Sequence, residues 1–238
     1  MKPIICNSES VIAILDGRKT QTRRVIKPQP VLYRDREWTY SKRGFHSHYS
    51  AMLANDPSFV GWLVDMKPPK DLINKCCPYG IPGDKLWVRE TFWQLGEERH
   101  GIWYWTVEDD VFIKYLADNP EKPPSRWMDY KYKKRPSIHM PKWASRIILE
   151  INEVRVERVQ DISMEDIVAE GLIETEFVSF AGLWDSINAK PKPVYMNKKV
   201  HHYISYPFDG EKETRIRRGK PWYILPNPWN WAITFGMI

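Results

Sequence analysis

The run Arg146-Ile-Ile-Leu-Glu-Ile-Asn-Glu-Val-Arg-Val-Glu-Arg-Val159 constrains this chain more than any other stretch. It is rich in β-branched residues and has no glycine or proline, so it suits a pleated, partly buried surface. It reads as one long bent strand or as two strands in succession, with Trp143 near its start. Two further segments read as strands. Lys85-Leu-Trp-Val-Arg-Glu-Thr-Phe-Trp93 follows the turn-rich Pro78-Tyr-Gly-Ile-Pro-Gly-Asp84. Trp229, Trp231, Ile233 and Phe235 alternate at period two at the end of the chain.

Helical signals are few. Ser8 to Gly17 reads as a short helix capped by Ser8, with Val11, Ile12 and Leu15 as its apolar side and Gly17 ending it in the left-handed region. Ser163-Met-Glu-Asp166 resembles a capping box that opens a helix ending at Gly171. Phe180, Leu183, Trp184 and Ile187 sit at i, i+3, i+4 and i+7, one face of a second helix. Between these elements lie three irregular excursions, at about 31–80, 94–136 and 189–227. The whole reads as a single α+β domain over residues 1–238, a small mixed β-barrel with packed helices and long aromatic-rich insertions.

Composition narrows the function classes. Hydrophobic residues make up 42% of the chain and charged residues 28%, so a packed core is expected and global disorder is not. Twelve tryptophans point to large apolar burial, and several of them fall in the excursions. No apolar run approaches the roughly 18 residues of a membrane span, so no membrane partner is expected. The opening residues MKPIICNSES lack a leader's apolar region and cleavage site, and three cysteines, two of them adjacent, do not make a disulfide framework. A reducing, cytoplasmic location is the expectation. Charge is segregated. Residues 18–43 carry nine Lys/Arg against two acids, 120–149 eight against two, and 150–188 two against ten.

The segment Gly17-Arg-Lys19-Thr-Gln-Thr22-Arg-Arg24 resembles the signature of the ASCH superfamily, whose fold is PUA-like. Gly17, Lys19 and Arg24 match the pattern Gly-x-Lys-x-x-Glu-x-Arg, and Thr22 replaces its Glu. Pro82-Gly-Asp84, Ala169-Glu-Gly171 and the apolar final strand follow in the family's order. Together with Cys77-Pro-Tyr-Gly, Leu86-Trp-Val-Arg-Glu-Thr and Ser137 to Arg146, they make the chain similar to the long ASCH proteins of phages and prophages. With Thr22, the segment is also similar to Gly-Arg-Lys-Thr-x-Thr-x-Arg of the much shorter bacterial N(4)-acetylcytidine amidohydrolases. That resemblance implies hydrolysis of an acylated cytosine nucleoside, with Lys19, Thr22 and Glu170 as the catalytic set and no cofactor. Gly17, Arg23, Arg24, Arg89, Trp143 and Arg146 are the candidate substrate-binding residues.

The chemistry sets conditions on such a set. A threonine hydroxyl needs a base to become a nucleophile, and a lysine can serve only if its proton is held weakly. Lys19 and Thr22, three apart, would share a helical face but point oppositely on a flat strand, so their pairing needs a turn-like backbone after Gly17. Glu170 could orient the lysine, bind the exocyclic amine or relay a proton. Arg89 and Glu90 are adjacent on a strand, so at most one of them faces a barrel pocket and a surface ion pair is the expected fate of the other.

The alternative is a non-catalytic module that binds RNA or another single strand, with nuclease activity a weaker option. Lys131-Tyr-Lys-Lys-Arg-Pro136 and Arg215-Ile-Arg-Arg-Gly-Lys220 suit phosphate contact and base stacking, and equally suit solvated loops. His46-x-His48 and Cys76-Cys77 do not have the spacing of a zinc finger or ribbon, so no metal site is expected.

Overall fold

A computed structural model describes residues 1–27, 31–33, 37–40, 60–63, 77–100, 102–105, 113–124, 130–172 and 177–238. His46, His48, Cys76 and Trp127 lie outside the described residues. In chain order the elements are β1 (Lys2–Ile5), α1 (Ser8–Leu15), β2 (Gln21–Val25), β3 (Val31–Tyr33), β4 (Glu37–Tyr40) and β5 (Val60–Leu63). Then come β6 (Lys85–Arg89), β7 (Phe92–Arg99), β8 (Ile102–Trp105), β9 (Ile113–Tyr115), β10 (Tyr130–Arg135) and β11 (Ile148–Arg158). The last group is α2 (Met164–Ala169), α3 (Phe177–Asn188), β12 (Lys192–Met196), β13 (Lys199–Ser205), β14 (Glu213–Arg217), β15 (Lys220–Ile224) and β16 (Trp229–Met237). Mixed sheets with few helices make this an α+β chain. Among the described residues no sheet closes into a barrel.

The chain forms two compact units, each assembled from separate segments. The first contains residues 1–20, 79–153 and 234–238. In it β1 runs parallel to β6, with Pro3 opposite Trp87, and β6 runs antiparallel to the start of β11, with Ile148 opposite Trp87. A second sheet orders β10-β7-β8, with β9 also on β7. So the stretch 94–136, read from sequence as an irregular excursion, contributes β8, β9 and β10 to this sheet. Phe92, Ile113, Met140 and Ala144 pack with Trp87 into a core. Burying side chains the size of Phe92, Ile113 and Met140 is worth about 1.5–3 kcal/mol each.

Local signals explain α1, with one correction. Its cap is Asn7, one residue before the Ser8 expected from sequence. Asn7 Oδ1 accepts from the Ser10 N–H at 2.9 Å. The face it buries carries Val11, Ala13 and Ile14, while Ile12 and Leu15 are exposed. The helix stops as expected at Gly17, whose φ of +73° suits a residue without a Cβ. Asn7→Ala should therefore destabilise the protein by about 1 kcal/mol, and Ser8→Ala by much less. Paired urea denaturations of the two variants check this, and equal effects would contradict it.

The second unit contains residues 21–78 and 154–233. In it the end of β11 lies beside β16, and β16 beside β2. The Ile26 N–H donates to the Trp229 carbonyl, and the Asn230 side chain donates to that of Glu157. Asn230, Trp231, Ala232 and Ile233 are all buried in succession, so β16 is covered on both faces rather than on one, as its alternation suggested. Val159, Ile162, Ile167, Phe180, Trp184 and Phe208 form the core beneath the helices. On α3, Phe180, Trp184 and Asn188 face inward and Ile187 is exposed. β3, β4 and β5 pair in order, and β12-β13-β15-β14 form a four-stranded sheet within the expected 189–227 excursion. No helix among the described residues is long and apolar enough to cross a membrane.

β11 is one strand of eleven residues, preceded by a 3-10 turn at Lys142–Ala144. Leu149 and Ile151 are buried, then Asn152 and Glu153 are both exposed, then Val154 and Val156 are buried. The inward phase slips by one residue at that point. Beyond the slip, Arg155 and Glu157 share a face opposite to that of Val154 and Val156.

Candidate active site around Arg23

β2 reads Gln-Thr-Arg-Arg-Val, an unusual sequence for a strand whose first three residues are buried. Alternation puts Gln21 and Arg23 on one face and Thr22 and Arg24 on the other. The Arg23 guanidinium is 1% exposed and meets three carboxylates. Its Nη2 donates to Glu157 and, at 2.7 Å, to Asp166, and its Nη1 donates to Glu170 at 3.4 Å. The Phe180 ring centroid lies 6.0 Å from the guanidinium carbon. Arg155 joins from β11. Its Nη2 donates to both Asp166 oxygens at 2.9 and 2.7 Å and to the Gln21 side-chain oxygen at 3.2 Å.

Helix α2 delivers two of the carboxylates. Ser163 caps it by accepting from the Asp166 N–H, as the sequence pattern implied. Asp166 and Glu170 are four apart and so share a helical face. In a capping box the third residue reaches back to the cap. Here the Asp166 carboxylate is instead committed to Arg23 and Arg155. Burial would raise the Asp166 pKa, but hydrogen bonds from the two guanidiniums outweigh it and hold the carboxyl below its ordinary value. The cluster is thus two cations and three anions in a largely desolvated place, an arrangement that needs every partner.

Lys19 and Gly17 belong to the first unit. Lys19 is buried, and its backbone N–H donates to the Ala13 carbonyl at 2.9 Å. Within the second unit, the structure brings Glu170 to Arg23, while Thr22, also buried, points to the opposite face of β2 with the half-buried Arg24. The pairing of Glu170 with a residue two positions before the end of β2 was not foreseen from sequence. Nor were Gln21, Arg155, Glu157 and Asp166 as members of the cluster. The i, i+4 spacing of Asp166 and Glu170 was the signal that could have found two of them.

The other expected binding residues gather in the first unit around residues 137–146. Arg89 donates from Nε and Nη2 to the Met140 carbonyl at 3.1 and 3.0 Å and lies over the Trp87 ring. Arg146 pairs with Glu90 at 2.9 Å and Asp118 at 2.6 Å, its guanidinium 4.0 Å from the Tyr115 ring centroid. Trp143 is exposed on its 3-10 turn. Glu90, expected on the surface if Arg89 faced inward, is 2% exposed. Burial pushes its carboxyl pKa up, against the pull of Arg146. Among the described residues no group of His, Cys, Asp and Glu could hold a metal ion. Cys6 and Cys77 are buried and not joined in a disulfide.

Comparison with protein-family models, curated proteins and solved structures gives no match.

Proposed function

We propose that this chain is an amidohydrolase that removes an acyl group from a modified cytosine nucleoside of the N(4)-acetylcytidine kind, on a fold of the PUA-like type. The reading is carried by one observation: Lys19 and Thr22, the two catalytic candidates in the segment that resembles the amidohydrolase signature, are both buried. Burying charged and polar side chains costs stability, and chains accept that cost mainly where chemistry requires it. In this reading Lys19 takes the proton from the Thr22 hydroxyl, which attacks the amide carbonyl; the exocyclic amine leaves with that proton, and a water then hydrolyses the acyl-threonine ester, releasing the carboxylic acid and restoring the hydroxyl. Glu170 enters as a positioning residue. It acts through Arg23, the neighbour of Thr22 in β2, and so fixes the strand that presents the hydroxyl.

The test is direct. Purified protein is incubated with N(4)-acetylcytidine, and cytidine and acetate are followed by chromatography. The proposal expects both products in equal amounts. No turnover of any N(4)-acylated cytosine nucleoside, or turnover that survives both Lys19→Ala and Thr22→Ala, overturns it.

A further inference from the structure

We infer that the sheet β12-β13-β15-β14 is a docking surface for single-stranded nucleic acid, independent of whether Lys19 and Thr22 are catalytic. The topology gathers its charge at one end. β12 turns into β13 at Asn197-Lys198, and β14 turns into β15 at Arg218-Gly219. All four turn residues have positive φ, as tight hairpins of this kind require. β13 and β15 run parallel, with Tyr203 opposite Trp222, so both turns lie at the same end of the sheet. That end carries Lys198, Lys199, Arg217, Arg218 and Lys220, and no acidic residue. Among the described residues no carboxylate pairs with Arg217, Arg218 or Lys220. Arg218 is notable because its φ of +49° favours Asn or Gly, yet the position carries a cation.

The face next to this end sets arginines over aromatic rings. Arg215 lies opposite Trp222, and Arg217 opposite Lys220. The Arg215 guanidinium lies 5.6 Å from the Trp222 ring centroid and that of Arg217 5.5 Å from the Tyr203 ring. The Trp222 indole N–H is fixed by Ser205 Oγ at 2.9 Å. All of β14 is exposed. Arg215 also pairs with Glu213 at 2.5 Å, which neutralises part of its charge, whereas Arg217 keeps all of its own. A guanidinium held over a ring leaves donors for a phosphate and a face for a base. Alternate strand residues stand about 7 Å apart, the scale of one nucleotide in a stretched strand. Protecting an edge strand from aggregation would need charge alone, and lysines would suffice. Arginines set over aromatic rings point to stacking as well as charge.

The test uses the full chain and fluorescence anisotropy with labelled 20-mers of dT and rU, titrated from 50 to 300 mM salt. The exposed pair Arg217→Gln/Arg218→Asn removes two charges, and the asparagine suits the turn. Affinity at low salt should fall at least about tenfold, and the slope of log K against log salt should shrink by about 1.4. Arg215→Lys keeps the charge, so it should weaken binding severalfold without changing that slope. Unchanged binding by the double variant at unchanged melting temperature overturns the inference. So does failure of the unaltered chain to bind either 20-mer at 50 mM salt. Binding only to vesicles containing phosphatidylserine overturns it in favour of a membrane surface.

Discussion

Arg23→Ala should lower the stability of the protein by about 3 kcal/mol, because it strands three partly buried carboxylates without their shared buried cation. Glu157, Asp166 and Glu170 would face one another with only Arg155 beside Asp166 and Glu157. Urea denaturation at pH 7 measures the loss, and an effect below about 1 kcal/mol would show that the cluster is solvated. The pH dependence gives a second reading. The native pKa of Asp166 lies below its ordinary value, so its contribution is fully present above the unfolded value near 4. That stability is lost as pH falls through the native value. The unaltered protein should therefore weaken below about pH 4. Arg23→Ala relaxes the Asp166 shift, so the gap between the two proteins should narrow as pH falls through that window. A gap that stays constant from pH 7 to pH 3 would contradict the assignment.

The second large effect concerns turnover. Under the proposed amidohydrolase reading, Lys19→Ala and Thr22→Ala should each reduce kcat by about a thousandfold, the ordinary range for loss of a proton-transfer group or nucleophile. The double variant should be little worse than either single one, because the two groups act as a unit. Thr22→Ser keeps a hydroxyl and should retain activity within about tenfold of the unaltered protein. Glu170→Gln, a change to a positioning residue, should cost roughly tenfold and leave the pH profile of kcat unchanged in shape. Additive losses in the double variant, or a Glu170→Gln profile missing one limb, would require different roles.

The charge map of the sequence acquires a reason in this structure. Residues 18–43 are strongly basic and 150–188 strongly acidic. Arg23 from the first stretch meets Glu157, Asp166 and Glu170 from the second. Part of that segregation is a buried ion cluster rather than a pair of solvated faces. The tryptophans divide in a similar way. Trp87, Trp184 and Trp231 are core residues, and Trp222 anchors the sheet formed within 189–227.

The local elements were legible in the chain. The β-rich run became β11, Ser163 capped α2, and Gly17 and Gly171 ended their helices with positive φ. These follow from side-chain shape and from hydrogen bonds within four residues, which the chain carries in order. The rest depended on contacts between distant segments. The phase slip at Asn152–Glu153 turns Arg155 and Glu157 to one face, and no periodicity announces a one-residue slip. Burial of both faces of β16 depends on what covers it, so Asn230 is as deeply buried as Ile233 despite the apparent alternation. The partner of Glu170 lies 147 residues away on β2. Such a contact is fixed by strand order and helix placement, and those are properties of the folded chain alone.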